Sequence, residues 1–237
     1  MPPDARDRSQ EPPLAPQRPQ GAAQDDHAER PVGVKLLKQL AAQSRIVLRH
    51  PHPADQRAYC TLRDASFPFL APWEPTNPQR PRDPPLPSDE AFRRLLATSN
   101  LESSQRFLIR HAGNNAILGQ FSINQISRGS ASGCAVGYWI GQPFARQGFM
   151  SAALASGVVH ATRNLGLHRV EANIIPANAR SIGLVRKLGF RHEGLAKRFL
   201  HIGGSWQDHE RWALTAEELS ENELSEKEGI EEKECWD

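Results

Sequence analysis

Proline is the feature that most limits where this chain can form regular structure. Of 19 prolines in 237 residues, seven lie within residues 2–31 and seven within residues 72–87. Each proline removes a backbone hydrogen-bond donor and fixes φ, so neither cluster can run as a helix or as a central strand. With both ends of the chain set aside, about 175 residues remain for a folded core, which is enough for one domain.

The two ends of the chain differ in composition from the rest. Residues 1–34 hold too few apolar side chains to offset the entropy of ordering them, so we expect a disordered leader. We expect residues 217–237 to form an acidic disordered tail, since residues 221–237 carry eight acids and two bases, a net charge of −6. Because the whole chain carries +2, the first 220 residues carry +8, which suits an anionic partner. The folded domain is then placed at residues 35–216.

Several classes of protein are excluded. The sequence has no apolar run of about 18 residues and no apolar stretch at its N-terminus, so neither a membrane-spanning helix nor a secretory signal is predicted. We therefore expect a cytoplasmic protein without membrane contact. Its three cysteines form no CxxC pair and no HExxH occurs, so neither a disulfide framework nor a metal site is predicted.

Periodicity and turn residues predict an α+β fold. The predicted elements are, in order, a short helix at 34–40, a strand at 45–49, helices at 54–64 and 88–96, strands at 106–110, 116–123 and 134–140, a helix at 148–166, a strand at 168–175, a helix at 178–188, and strands at 197–202 and 206–214. The first group of three strands forms an antiparallel meander, and the last two strands form a hairpin. The proline-rich loop at 72–87 is long enough to have a function.

The segment 138–150 has the pattern of a phosphate-binding site. A strand runs through a short loop into the N-terminus of an amphipathic helix, where unpaired N–H groups and the helix dipole favour an anion. Gly148 would let a pyrophosphate approach the backbone closely, and Arg146 would add a fixed positive charge. An ordinary helix cap has the same residues, so the pattern alone leaves both interpretations open.

This segment resembles motif A of the GNAT acetyltransferases, in which a Gln/Arg-x-x-Gly-x-Gly/Ala loop holds the pyrophosphate of acetyl-CoA. Gly148 takes the place of the invariant glycine, Met150 that of the final Gly/Ala, and Ala145 that of the leading Gln/Arg. Five further segments resemble the RimJ/RimL-type branch of the family, namely residues 70–75, 121–129, 176–181, 187–194 and 204–209. The resemblance covers about residues 45–216.

The resemblance implies a fold and an activity. The fold is that of the GNAT acyl-CoA N-acyltransferases, a mostly antiparallel mixed sheet flanked by helices and splayed between its fourth and fifth strands. The activity is transfer of the acetyl group from acetyl-CoA to an amine by direct attack. The acceptor it implies is the N-terminal α-amine, of Ala or Ser, in a ribosomal or other protein. A small-molecule amine as acceptor, and an inactive CoA-binding module on the ribosome, are the alternatives.

The resemblance also implies the residues of the donor and acceptor sites. Acetyl-CoA would be bound by Tyr138, Trp139, Ile140, Arg146, Gln147, Gly148, Phe149, Met150 and Asn178. The acceptor would contact Trp73, Glu74, Asn124 and Asp208. For Asp208 and its neighbour His209, holding the final hairpin is an alternative role. We expect a monomer or homodimer, with no metal and no direct readout of nucleic acid.

Two catalytic residues are proposed by the same resemblance. Ser181 is the candidate acid, because the matching serine of the family lies close to the sulfur, although it could equally cap its helix. Tyrosine is the more usual acid, but it is not assigned because the chain has only Tyr59 and Tyr138. Glu171 is the candidate base, with Glu74 or water as alternatives.

Overall fold

An eight-stranded mixed sheet organises the computed structural model, which describes residues 37, 39–40, 45–79 and 86–219. The strands are β1 (Ile46–Arg49), β2 (Asn100–Leu101), β3 (Ser104–His111), β4 (Ile117–Ser127), β5 (Gly133–Ile140), β6 (Arg169–Ile174), β7 (Arg191–Ile202) and β8 (Ser205–Thr215). Seven of them lie in the order β1-β3-β4-β5-β6-β8-β7, and β2 pairs with the start of β3. Among the strand pairs of the described residues, only β5–β6 is parallel, so the predicted mixed, mostly antiparallel sheet is confirmed.

The described ranges contain four α-helices of nine residues or more, and these cover the two faces of the sheet. They are α1 (Gln56–Leu70), α2 (Ser88–Ala97), α3 (Phe149–Val159) and α4 (Ala179–Lys187). Successive side chains of β3 point to opposite faces of the sheet. Leu108 packs with residues of α1 and α2, whereas Phe107 and Ile109 pack in the cluster that holds α3 and α4, so the two pairs of helices lie on opposite faces. No helix within the described ranges is both long and apolar enough to cross a membrane.

Helix α3 lies unusually close to the sheet. At Gly157 a Cβ atom would lie 2.1 Å from the Phe121 ring, so only glycine permits this approach. The helix continues into a π-helical turn at His160–Asn164, and the chain then enters β6. This crossover is what allows β5 and β6 to run parallel.

Strands β5 and β6 separate after a short paired stretch. Gly133, Cys134 and Ala135 pair with residues 169–171 of β6. Beyond this point, among the described strands, β5 pairs only with β4 and β6 pairs only with β8. The predicted splay is therefore confirmed. The splay lies between the fourth and fifth predicted strands. These are β5 and β6 in the structure, because the structure has an additional two-residue strand, β2, that was not predicted.

The start of the proline-rich loop docks onto the β7–β8 hairpin. Pro75 forms a β-bridge with Ile202, and the N–H of Thr76 donates to the carbonyl of His201 at 3.0 Å. The N–H of Gly203, in the hairpin turn, donates to the carbonyl of Glu74 at 3.0 Å. These bonds fix residues 74–76 over the same face of the sheet as α1 and α2.

The predicted leader and tail fall largely outside the described residues. The leader at 1–34 lies wholly outside them, as do residues 80–85 of the loop and residues 220–237. A helical turn at 216–219 extends past the predicted domain end, where Leu219 is buried and Glu218 binds Arg191.

Candidate active site

In the described part of the chain, the loop between β5 and α3 and the first turn of α3 together leave six consecutive backbone N–H groups free. Those of residues 146–151 donate no hydrogen bond within the described part of the chain. Arg146 (φ 63°) and Gly148 (φ 84°) both have left-handed backbone conformations, which turn successive N–H groups into a concave anion site. Apart from Gly148 itself and its two neighbours in the chain, no described residue has an atom within 4 Å of the position that a Cβ of Gly148 would take, so the space beside this glycine is open. Together with the dipole of α3, this loop fits a pyrophosphate.

The side chains of Arg45 and Gln147 hold the loop by hydrogen bonds to its backbone carbonyl groups. The carbonyl of Gln147 accepts from Arg45 Nη2 at 2.9 Å, and Gln147 Nε2 donates to the carbonyl of Pro143 at 2.7 Å. Phe149 is buried, with the Arg45 guanidinium 4.9 Å from its ring centroid. Gln147 and Phe149, both predicted to bind the cofactor, therefore contact the protein through their side chains.

A cavity of about 660 Å³ lies beside this loop, between the end of β5 and the start of α4. We call it the α3–α4 cavity. Seven of the nine residues predicted to bind acetyl-CoA line it, namely Tyr138, Trp139, Ile140, Arg146, Gly148, Met150 and Asn178. Its volume lies within the range of about 300–1,000 Å³ that is usual for small-molecule sites.

A second cavity of about 810 Å³ lies on the opposite face, between α1, α2 and the β7–β8 hairpin. We call it the α1–α2 cavity. Trp73, Glu74 and Asn124, all predicted to contact the acceptor, line it, whereas Asp208 does not. Asp208 Oδ1 instead accepts from the N–H of Arg198 at 2.8 Å, where β7 bulges. Asp208 thus holds the hairpin, which is the alternative role considered for it.

Two hydroxyl groups meet where the cavities join. Tyr138 and Ser181 line both cavities, and Tyr138 Oη lies 2.7 Å from Ser181 Oγ. Burial raises the pKa of Tyr138 to about 12, against a smaller opposing effect of the Ser181 hydrogen bond. The phenol is therefore protonated at neutral pH and can donate a hydrogen bond. The N–H of Ser181 donates to Asn178 Oδ1 at 3.2 Å, so Asn178, rather than Ser181, caps α4.

The sequence predicts cofactor binding for Tyr138 but does not predict the contact of its hydroxyl with Ser181. The available signal was the alternation along β5. Trp139 packs against the cluster of α1 and α2, so its neighbour Tyr138 must point toward α4, where Ser181 lies in the first turn.

Both glutamates considered as bases are held by arginines. Glu74 accepts from Arg63 Nη1 at 2.7 Å and from Nη2 at 3.2 Å. Glu171 accepts from Arg169 Nε at 2.8 Å and Arg211 Nη2 at 3.0 Å, and it lines neither cavity. Burial opposes ionisation of Glu171, but these hydrogen bonds outweigh it and lower its pKa. The geometry therefore disfavours Glu171 as the proton acceptor.

His209 presents an accepting nitrogen on the wall of the α1–α2 cavity. Its Nδ1 lies 3.0 Å from the carbonyl of Gln207. Because a carbonyl can only accept, Nδ1 carries the proton and Nε2 keeps its lone pair. Nε2 has no hydrogen-bond partner among the described residues. Burial lowers the pKa of His209 despite smaller opposing effects of Gln207 and Asp208, which favours the neutral imidazole.

The cysteines offer no nucleophile in the described part of the chain. Cys134 is buried, and burial raises the pKa of its thiol to about 12. Burial also raises the pKa of Cys60. Reaction through a thiolate is therefore disfavoured. Across the same residues, no group of three His, Cys, Asp or Glu side chains could hold a metal ion.

Comparison with known proteins identifies a family for this chain. The family model for the acetyltransferase (GNAT) domain matches residues 45–191. The chain is 33% identical over 173 residues to the [Ribosomal protein uS5]-alanine N-acetyltransferase of Escherichia coli (strain K12), covering 72% of this chain and 88% of that protein.

Solved structures agree with this match. Mycobacterium smegmatis RimJ in complex with CoA-disulfide is 31% identical with a TM-score of 0.65, covering 73% of this chain and 83% of that one. RimL, a ribosomal L7/L12 alpha-N-protein acetyltransferase in complex with coenzyme A, is 22% identical with a TM-score of 0.63, and covers 73% and 94%, which shows the shared fold. The matched residues include the loop between β5 and α3, the splayed strands and Ser181. This chain therefore belongs to the GNAT family of acetyltransferases and is an N-acetyltransferase whose acetyl donor is acetyl-CoA.

Proposed function

We propose that this enzyme acetylates the N-terminal α-amine of a ribosomal or other protein whose first residue is Ala or Ser. The observation that carries the proposal is the α1–α2 cavity, which meets the α3–α4 cavity at Tyr138 and Ser181. Its volume of about 810 Å³ leaves room for several residues of an extended chain as well as for the amine. The relative that acts on an alanine of ribosomal protein uS5 supports the same acceptor class.

The donor side of the site fits acetyl-CoA. The free N–H groups of residues 146–151 and the Arg146 guanidinium would bind the pyrophosphate. The edge of β5 after Ala135, which faces the splay, would hydrogen-bond to the pantetheine arm. Asn178 can add its Nδ2 group, because its Oδ1 is used in capping α4. When bound, acetyl-CoA supplies a thioester that a neutral amine attacks directly.

Three side chains would manage the protons. His209 accepts a proton from the incoming ammonium through Nε2, directly or through one water, and thereby leaves a nucleophilic amine. Tyr138 and Ser181 are hydrogen-bonded to each other, so one hydroxyl would donate to the other and the second would donate toward the sulfur as the C–S bond breaks. The proton that the newly acylated nitrogen loses would pass through this pair to the thiolate, which leaves as free CoA. Glu74, which we considered as a base, would instead orient Arg63 on the acceptor wall.

The test is a direct assay of the full chain. Acetyl-CoA is incubated with peptides beginning with Ala or Ser, and release of free CoA and the mass of each peptide are measured. The same peptides with a blocked N-terminus and an internal lysine serve as the control. We expect one acetyl group on each free α-amine and none on the blocked peptides. Turnover of small amines alone, or no turnover while acetyl-CoA binds, would contradict the proposal.

A further inference from the structure

Three buried polar atoms without partners lie on one cavity. Within the described residues, the buried side-chain atoms that lack any hydrogen bond are Arg63 Nε, Arg106 Nε and Asn173 Oδ1. All three residues line the α1–α2 cavity. Buried polar groups are paired in the large majority of cases. Their concentration here indicates a polar ligand that would pair with them.

Arg106 is the strongest of these groups. It lies on β3, two residues from Leu108, and therefore extends over the face that α1 and α2 cover. Its guanidinium forms no salt bridge and no hydrogen bond with any described residue. Arg63, by contrast, is neutralised by both oxygens of Glu74.

The charges around Arg106 leave it uncompensated. Glu74 is the one carboxylate on the described wall of the cavity, and it is committed to Arg63. Arg94 also lines the cavity and pairs with Glu90, which lies off the wall. A ligand carrying a carboxylate would supply the counter-charge that the protein lacks at Arg106.

Between Arg106 and the reaction centre, the described surface of the sheet carries small side chains. Arg106 pairs with Ser122, and Ser122 pairs with Gly137, which precedes Tyr138. Residues opposite one another in a sheet share a face, so Arg106, Ser122 and Gly137 lie on the same face. Serine and glycine are small, so they leave space above the sheet for an extended peptide. Two strand spacings separate Arg106 from Gly137, or about 10 Å, which is the span of about three extended residues.

We propose that the acceptor carries a carboxylate within its first four residues and that Arg106 binds it. The proposal rests on the proposed function, since it specifies the acceptor of the same site. Asn173 Oδ1, on β6 across the gap, would accept an N–H of the same extended chain. The substrate class is then a protein with a small first residue followed closely by Asp or Glu.

A peptide series tests this with the full-length enzyme and acetyl-CoA. Each peptide begins with Ala followed by Gln residues, with one Glu or one Lys at position 2, 3 or 4. For the native enzyme we expect kcat/KM of the best Glu peptide to exceed that of the all-Gln peptide about ten-fold, and Lys at that position to lower it. This ratio needs no variant, and a ratio near one overturns the proposal.

Variants then locate the preference. Arg106→Gln should reduce the Glu-to-Gln ratio to about one, and Arg106→Glu should reverse the preference toward Lys. Arg93→Gln is the matched control, because Arg93 is exposed on α2, pairs with Asp89 and does not line the cavity. It should keep the native ratio, and an equal loss in both variants would overturn the assignment to Arg106.

A binding measurement distinguishes failure of the carboxylate site from failure of the proposed function. If no peptide is acetylated, the same series is titrated calorimetrically into the enzyme with bound CoA. Tighter binding of Glu than Gln peptides, lost in Arg106→Gln, would support the carboxylate site even though the acceptor chemistry had failed. Equal binding of both peptides would overturn the carboxylate site as well.

Discussion

The two cavities that meet at Tyr138 are built in different ways. Most of the α3–α4 cavity comes from two continuous stretches, residues 138–151 and 177–187, and its distinctive groups are backbone N–H groups. The α1–α2 cavity draws on many separated segments between residues 59 and 209, and its distinctive groups are side chains in ion pairs or without partners. A donor site made of local backbone tolerates sequence change, whereas an acceptor site made of distant side chains can be altered one residue at a time.

The largest effect is expected where the two cavities share a wall. Tyr138→Phe removes the phenol beside Ser181, and kcat should fall about 1,000-fold with little change in either substrate's KM. Ser181→Ala should have a similar effect, and the double variant should be little worse than either, because the two hydroxyls act as one unit. Steady-state kinetics measures all three.

A control separates catalysis from packing. Tyr59→Phe removes another buried phenol, one that donates to Gln120 Oε1 at 3.1 Å away from α4. It should cost about 1 kcal/mol of stability and leave kcat nearly unchanged. Additive losses in the Tyr138 and Ser181 double variant would show that the hydroxyls act separately.

The next largest effect should be confined to the acceptor side. Glu74→Gln leaves Arg63 buried and without its carboxylate, so the free energy of unfolding should fall by about 3 kcal/mol. The segment at 74–76 should loosen, and the acceptor KM should rise while affinity for acetyl-CoA stays the same. Urea unfolding and calorimetric titration measure these quantities.

An exposed ion pair provides the comparison for this variant. Glu90→Gln breaks the pair with Arg94, whose side chain is 63% exposed, and should change stability by less than about 0.5 kcal/mol. Equal losses in the two variants would contradict a special role for the buried pair.

A smaller effect should be confined to the donor side. Gly148→Val forces a branched side chain into a left-handed conformation and places it where a pyrophosphate would approach. Affinity for acetyl-CoA should fall about 30-fold, which corresponds to about 2 kcal/mol. Gly129→Val, at φ 77° in open space, carries the same backbone strain away from the site and should leave this affinity intact.

The smallest effect concerns pH on the acceptor side. His209 acts as a base only when neutral, and burial keeps its pKa below the ordinary value of 6.5. The native kcat should therefore be level at neutral pH and fall as the solution is acidified through that lower pKa. His209→Gln should lower kcat about ten-fold at pH 7 and abolish the acidic limb. A pH profile of kcat for both proteins tests this, and an unchanged limb in the variant would exclude His209.

Features built from residues adjacent in the chain could be predicted from the sequence, whereas features built from distant residues could not. The Gly148 loop could be recognised because strand, loop and helix are adjacent in the chain, and the antiparallel meander and the final hairpin could be predicted from alternation and turns. The choice between the two roles considered for Asp208, and the ion pairs of Glu171, could not be predicted, because each carboxylate is bound by a group that β-pairing brings to it. The Tyr138 hydroxyl depends on where α4 lies, which no local pattern specifies.

The splay between β5 and β6 places two unpaired strand edges in the middle of the sheet. An edge on the outside of a sheet can recruit any passing strand and so promotes aggregation. Here the edges face each other across a wedge that closes at Ala135, and a second polypeptide strand entering it would have to pair with both sides at once. A thin, flexible molecule with widely spaced amide groups would meet no such restriction. The shape of the wedge would therefore protect the fold from aggregation and still leave room for the proposed pantetheine arm.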